Sequence, residues 1–215
     1  MSESTFERGL DILDGRTRAV KITLFIYIAT SIGLIVGKLG EVGGLISLRN
    51  SEMDTLAMVF GVVYLSCIAM LVVSIIVVGM WIYRAHANLR AARIEGLEFA
   101  PSWAVGWFFI PVANLFKPFQ AMRELWNNSR NEIGGYAGET DPILRWWWGA
   151  WIFGNILSNI GSRFEPDNPN AAVVVALIDA IAFGILMVAA FLLIRITTAV
   201  NAAQRAQIGL GATFA

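Results

Sequence analysis

The sequence contains one cysteine, Cys67, and one histidine, His86. A single thiol cannot build an internal disulfide framework. One Cys with one His also excludes Cys/His zinc sites and bis-histidine haem ligation. Charge is scarce as well, with Asp, Glu, Lys and Arg at 15% of residues against about 25% in soluble domains. The 16 basic and 16 acidic residues cancel. That balance excludes a nucleic-acid binder working by bulk positive charge, and it excludes an acidic disordered tail. No Walker loop, nucleophile elbow, paired-acid motif or HExxH occurs. What the chain has in excess is apolar surface, at 57% hydrophobic residues. The composition is that of an integral membrane protein. No cofactor and no enzymatic activity are expected from it.

A helix needs about 20 mostly apolar residues to cross a ~30 Å hydrocarbon core. Residues 56–81 meet this, with no charge between Asp54 and Arg84, and so do 171–194, interrupted only by Asp179. Two shorter runs are 22–37, bounded by Lys21 and Lys38, and 146–161, bounded by Arg145 and Arg163. A fifth stretch, Ser102 to Phe116, would measure roughly 22 Å as a helix and contains Pro111, which removes a backbone donor. With four crossings and the N-terminus inside, 13 Lys and Arg lie inside and only Lys38, Arg49 and Arg163 outside. A fifth crossing would leave 8 on each side, so the positive-inside rule favours four. The expected fold is an all-α membrane protein, a four-transmembrane-helix bundle forming a single domain over 1–215. Both termini are then cytoplasmic, in the cell inner (plasma) membrane, and residues 84–145 form a cytoplasmic or interfacial loop.

Residues 1–20 carry Glu3, Glu7, Asp11 and Asp14, which is wrong for the basic start of a signal peptide. Ser4 and Glu7 form a capping box, and Phe6, Leu10 and Leu13 share a helical face. The segment reads as an amphipathic helix on the inner leaflet, or equally as a frayed polar tail. After Trp81 the helix should run on without a breaker until Gly96. Pro101 to Pro111 is aromatic and charge-free, and reads as re-entrant or deep in the interface. Pro118 suits a first helical turn, and Leu115, Phe119, Met122 and Trp126 then recur on one side of an amphipathic helix. All eight Trp lie between Trp81 and Trp151, which fits one interface. This gives a candidate interfacial aromatic platform of Trp81, Trp103, Trp107, Pro111, Asn114 and Trp126. Arg84, Arg90, Arg93, Lys117 and Arg123 are candidates for anionic lipid headgroups, the plainer reading being ordinary positive-inside bias.

One pattern is specific. Trp81, Tyr83, Arg84, Ala85, Asn88 and Leu89 are followed by Pro101, Trp103, Gly106, Trp107, Phe108, Ile110, Pro111, Asn114 and Leu115. Pro118, Gln120, Met122, Glu124, Leu125, Trp126 and Ser129 complete it. The arrangement resembles the bacterial membrane family known as domain of unknown function 4328. The likeness implies a multi-pass bacterial membrane protein. It implies no catalytic residues.

Ionisable groups inside membrane helices are rare and point to function by default. Asp179 is the clear case, and counting from the helix ends places Asn155 at similar depth. The expectation is a hydrogen bond between them, with Ser158 and Asn159 nearby. Interhelical glue is the favoured reading, and a proton or cation site the other. Small residues recur every four positions at Ala29, Gly33 and Gly37, at Ala150, Gly154 and Ser158, and at Ala172, Ala176, Ala180 and Gly184. They serve close helix packing, with homo-oligomer formation the lesser reading. His86 lacks a ligand partner in sequence and reads as an ordinary surface or interface residue.

The leading function is a non-enzymatic scaffold or accessory protein whose aromatic platform engages membrane lipids or a protein partner, with no role for nucleic acid. The alternative is a small transporter or channel around Asp179. A lipid-acting enzyme would have only His86, Glu95, Glu98 and Glu124 to use, and ranks last.

Overall fold

A computed structural model describes residues 3–43, 55–130, 140–164 and 168–213. Among them every regular element is helical: α1 (Glu3–Val42), α2 (Thr55–Ala91), α3 (Pro101–Gly106), α4 (Lys117–Arg130), α5 (Pro142–Gly161) and α6 (Pro169–Thr213). Two single-turn 3-10 helices, Trp107–Phe109 and Ala113–Leu115, lie between α3 and α4.

The four expected apolar runs each lie within a long helix, and α5 and α6 start by the same local code. Asp141 Oδ1 accepts the Ile143 N–H at 2.9 Å, with Pro142 as the first helical residue. Asn168 Oδ1 accepts the Ala171 N–H at 2.9 Å, with Pro169 in the same place. An Asx oxygen satisfies a donor that the first turn leaves unpaired, and proline has no donor to leave unpaired there. By length and apolarity, three helices qualify to cross a membrane: Glu7–Val42, Met58–Ala91 and Pro169–Ala206. The 20-residue α5 does not join them, since it carries Arg145, Asn155 and Asn159.

Two boundaries differ from expectation. Residues 1–20 do not form a separate surface helix, because α1 continues unbroken through Lys21 to Val42. Its Leu10, Leu13, Thr17 and Val20, spaced three and four apart, are buried against protein. The stripe is real and protein covers it. The second helix stops at Ala91, short of Gly96. Arg93 takes a left-handed conformation (φ 56°), and the Ile94 N–H reaches back to the Leu89 carbonyl at 3.2 Å while the Arg93 N–H reaches Arg90 at 3.0 Å. This pairing is a Schellman cap, built on arginine where glycine is usual.

The chain divides into two compact units. The first comprises 1–22, 74–146 and 192–215, and the second 23–73 and 147–191. In the first unit the core is Leu10, Leu13, Val20, Trp81, Ile82, Leu89, Met122, Leu125, Leu144, Ile196 and Val200. In the second unit large apolar side chains such as Ile32, Val36, Val62, Leu65, Phe153, Leu177 and Phe191 are exposed. Small residues there receive bulky partners. A Cβ at Gly37 would collide with the Phe60 ring, and one at Gly154 with Leu186. The glycines act as notches for large side chains, whereas Gly184 faces open space.

A left-handed conformation costs an L-residue about 1–2 kcal/mol relative to glycine. Arg93→Gly should therefore raise stability, by up to about 1 kcal/mol after the extra unfolded-state entropy of glycine. Thermal unfolding of the purified variant in detergent checks this, and an unchanged or lowered midpoint would refute it.

Candidate functional site

In the first unit a buried polar network forms around two amides, Asn88 on α2 and Gln204 on α6, each about 1% exposed. Asn88 Nδ2 donates to Gln204 Oε1 at 3.1 Å and to the Gly9 carbonyl at 3.3 Å. Gln204 Nε2 donates to the Ala85 carbonyl at 3.1 Å and to Ser129 Oγ on α4 at 3.0 Å. Arg84 Nε donates to Asn88 Oδ1 at 2.8 Å and to the Gly9 carbonyl at 3.2 Å. Gly9 is needed for this approach, because a Cβ there would strike the Arg84 guanidinium. One helical turn away, Trp81 Nε1 donates to Thr17 Oγ1 at 3.0 Å, which satisfies the polar atom of a fully buried indole.

His86 is buried too, with Nδ1 2.9 Å from the Ile82 carbonyl and Nε2 3.3 Å from the Ala121 carbonyl. A neutral imidazole has one N–H and serves one of these carbonyls at a time. The residue is part of the α2–α4 packing, not a surface histidine. Glu124 on α4 accepts the backbone N–H of Glu98 at 2.6 Å and of Phe99 at 3.2 Å, tying down the chain that leads into α3. Burial pushes its carboxyl up from the ordinary value, and these two donors only partly offset that.

The sequence-derived platform therefore splits. Trp81 and Trp126 are buried, the latter beneath the Arg130 guanidinium at 4.8 Å, and neither is available to lipid. Trp147 and Trp148 are likewise buried, so four of the eight tryptophans are core residues, while Trp103 and Trp146 are exposed. Trp103 and Trp107 stay together, their rings 5.0 Å apart, with Lys117 Nζ 5.9 Å from the Trp107 ring and 5.6 Å from Phe99. Beyond them the chain turns sharply at Pro111–Val112–Ala113. The Ala113 N–H bonds the Pro111 carbonyl at 2.8 Å across Val112, whose φ of 67° and ψ of −55° define a strained γ-turn. This turn presents Phe109, Val112, Leu115 and Phe116 outward, with Phe109 69% and Val112 72% exposed. Pro111 is exposed and Asn114 half-buried, its Oδ1 buried without a hydrogen-bond partner. Among the basic candidates, Arg90 and Arg93 are exposed, Lys117 and Arg123 half-buried, and Arg84 is turned inward.

In the second unit Asp179 does not bond Asn155. Its Oδ2 lies 3.4 Å from Lys38 Nζ on α1. Asn155 Nδ2 instead donates to the Trp151 carbonyl at 2.7 Å, and Asn159 Nδ2 to the Asn155 carbonyl at 3.0 Å. Ser158 is half-buried on the same helix. The reason is register. A Cβ at Gly161 would meet Asp179 and one at Gly154 would meet Leu186, so residue 161 faces 179 and Asn155 lies about 9 Å further along α5. Ser31 Oγ and Cys67 Sγ make a separate buried contact at 3.7 Å. Among the described residues no group of three His, Cys, Asp or Glu could hold a metal ion.

Sequence reasoning missed Gln204 and the burial of His86. A signal for Gln204 was present, since Ile196, Val200 and Gln204 repeat every four residues on the buried face of α6. Part of the pattern that carried the family resemblance is this interior, while its Tyr83, Trp103, Ile110, Pro111 and Leu115 are exposed. Trp81, Ala85, Asn88, Leu89, Met122, Leu125, Trp126 and Ser129 are all buried.

The family model described as "Domain of unknown function (DUF4328)" matches residues 47–204. No curated protein and no solved structure matches the chain.

Gln204→Ala should cost about 1–3 kcal/mol, since it removes one hydrogen bond each from the buried Asn88 amide, the Ala85 carbonyl and the Ser129 hydroxyl. Unfolding in detergent measures this, and a loss below about 0.5 kcal/mol would count against the network. For the ion pair, Lys38→Met and Asp179→Leu should each destabilise by about 1–3 kcal/mol, with the double variant recovering most of the loss. Strictly additive losses would mean that the two charges are not coupled.

Proposed function

The chain belongs to the DUF4328 family, and on that premise we propose that it is a non-enzymatic multi-pass membrane protein acting as a scaffold or accessory component. In this reading α5 forms a fourth crossing beside α1, α2 and α6, both termini are cytoplasmic, and the membrane is the bacterial inner membrane. The residues 103–116 sit in the membrane interface on the cytoplasmic side and engage lipid there.

One observation carries the reading. Within a single short stretch, Trp103, Phe109, Val112, Leu115 and Phe116 are all exposed, around a γ-turn strained enough that water alone gives it no reason to persist. Exposed aromatic and aliphatic tips beside Lys117 match the chemistry of the headgroup and acyl boundary. The elements between Pro101 and Leu115 are of six, three and three residues, too short to cross. The pairing of Asp179 with Lys38 supports interhelical glue over an ion pathway, because the acid has its counter-charge within the protein.

A fluorophore attached through Val112→Cys, with the buried Cys67 left unreacted, tests this in proteoliposomes. The label should be quenched by lipid-borne quenchers and shielded from aqueous iodide. Full iodide access without lipid quenching would overturn the reading.

A further inference from the structure

The exposed stretch in the first unit ends close to where it begins. Residues 100–116 leave Phe99, which is buried, and return at Lys117, the first residue of α4. The Lys117 ammonium lies 5.6 Å from the Phe99 ring, so the two ends of the stretch meet. The chain between them is an Ω-like loop with its neck on α4, and it carries Phe109, Val112, Leu115 and Phe116 outward.

Glu124 stands two turns along α4 from Lys117, on the same face. Its carboxylate spans the incoming chain of the neck. Oε2 accepts the Glu98 N–H at 2.6 Å, and Oε1 accepts the Phe99 N–H at 3.2 Å. Among the described residues no cation forms an ion pair with Glu124, so its charge is committed to these two amides. Such charge-assisted bonds are roughly twice as strong as neutral ones. The helix that carries Glu124 is itself fixed on either side of it. The Ala121 carbonyl lies 3.3 Å from His86 Nε2 of α2, and the Ser129 hydroxyl bonds Gln204 of α6. The backbone bonds of the turn itself are local, from Ala113 to Pro111, Asn114 to Ile110 and Leu115 to Val112. Those bonds shape the turn, whereas Glu124 ties the loop to the core.

A loop that enters a bilayer must be ordered there, and order imposed beforehand is not lost on binding. Releasing residues 98 and 99 would free the loop backbone at one end, and the strained Val112 would lose part of the surroundings that hold it. We infer that Glu124 is the positioning residue of this loop, its carboxylate locking the neck so that the apolar tips enter the bilayer as one pre-formed unit. Glu124 touches no lipid in this arrangement and acts through the loop. The inference rests on the proposed placement of residues 103–116 in the membrane interface.

The full chain carrying the Val112→Cys label in proteoliposomes tests it. Glu124→Gln keeps the shape and one acceptor oxygen, but sets an amide donor against one of the two backbone N–H groups. Glu124→Ala removes both bonds. Glu124→Gln should weaken lipid quenching of the label and raise iodide access several-fold, and Glu124→Ala should go further. Hydrogen exchange at the Phe99 amide should quicken about tenfold in Glu124→Gln, the loss of one charge-assisted bond. Lys38→Met, which disturbs only an ion pair of the second unit, should lower the unfolding midpoint and leave the label as in the wild type. A label that lies in lipid in the wild type and stays there unchanged in both Glu124 variants would overturn the inference and leave the lipid reading standing. So would an equal shift of the label in Lys38→Met, since general loosening would then account for it. A wild-type label fully open to iodide would overturn both.

Discussion

The hydrogen bond between the Asn88 and Gln204 amides is the constraint on which the first unit depends. Two side-chain amides removed from water would be costly if left unpaired, on the order of 1–3 kcal/mol for each stranded group. The fold meets that demand by converging four helices on them: Gly9 from α1, Ala85 from α2, Ser129 from α4 and Gln204 from α6. Each partner has one geometry that serves, so the pairing specifies register as well as adding stability. Arg84 inherits its orientation from this centre, and Gly9 its lack of a side chain. Small aliphatic residues at the same places would pack, but they would allow a helix to slide by a turn.

A different logic governs the second unit. Its outward residues are large and apolar, and its specificity comes from shape, with Phe60 and Leu186 set into the notches at Gly37 and Gly154. Among the described residues, side-chain polar contacts join its helices at two places. Ser31 meets Cys67, and Lys38 meets Asp179. Where lipid replaces water, hydrophobic burial no longer distinguishes helix–helix from helix–lipid contact, and close fit and isolated polar contacts take over.

Much of the architecture was legible because it rests on local chemistry. Runs of apolar residues placed the long helices, Pro111 and the short span argued against a crossing at 102–116, and Pro118 with Met122 and Trp126 marked the amphipathic α4. What could not be read was whatever depends on neighbours. The depth of Asp179 was counted from the ends of two apolar runs, but helices pack by their notches, and Gly161 meets α6 ten residues past its first residue. Trp81 and Trp126 have the composition of an interfacial belt. Only the partners Thr17 and Arg130 distinguish them as core residues. Lys38 was discounted as a boundary charge because nothing in sequence joins it to a residue 141 positions later. The left-handed Arg93 broke the rule that helices end at glycine, and so shortened α2.

The Lys38–Asp179 pair has a consequence for how such a chain is made. A carboxylate carried into the bilayer by an inserting helix is opposed, by up to about 2.5–3.5 kcal/mol where it reaches the helix centre, and α6 would bear that penalty alone if it entered first. Synthesis runs from the N-terminus, so on the membrane reading α1 is in place, with its ammonium group unmatched, well before residue 179 leaves the ribosome. The early helix waits with the charge that the late one requires. Assembly order is then written into the positions of a single cation and a single anion, and transposing them would leave the acid to insert unaided.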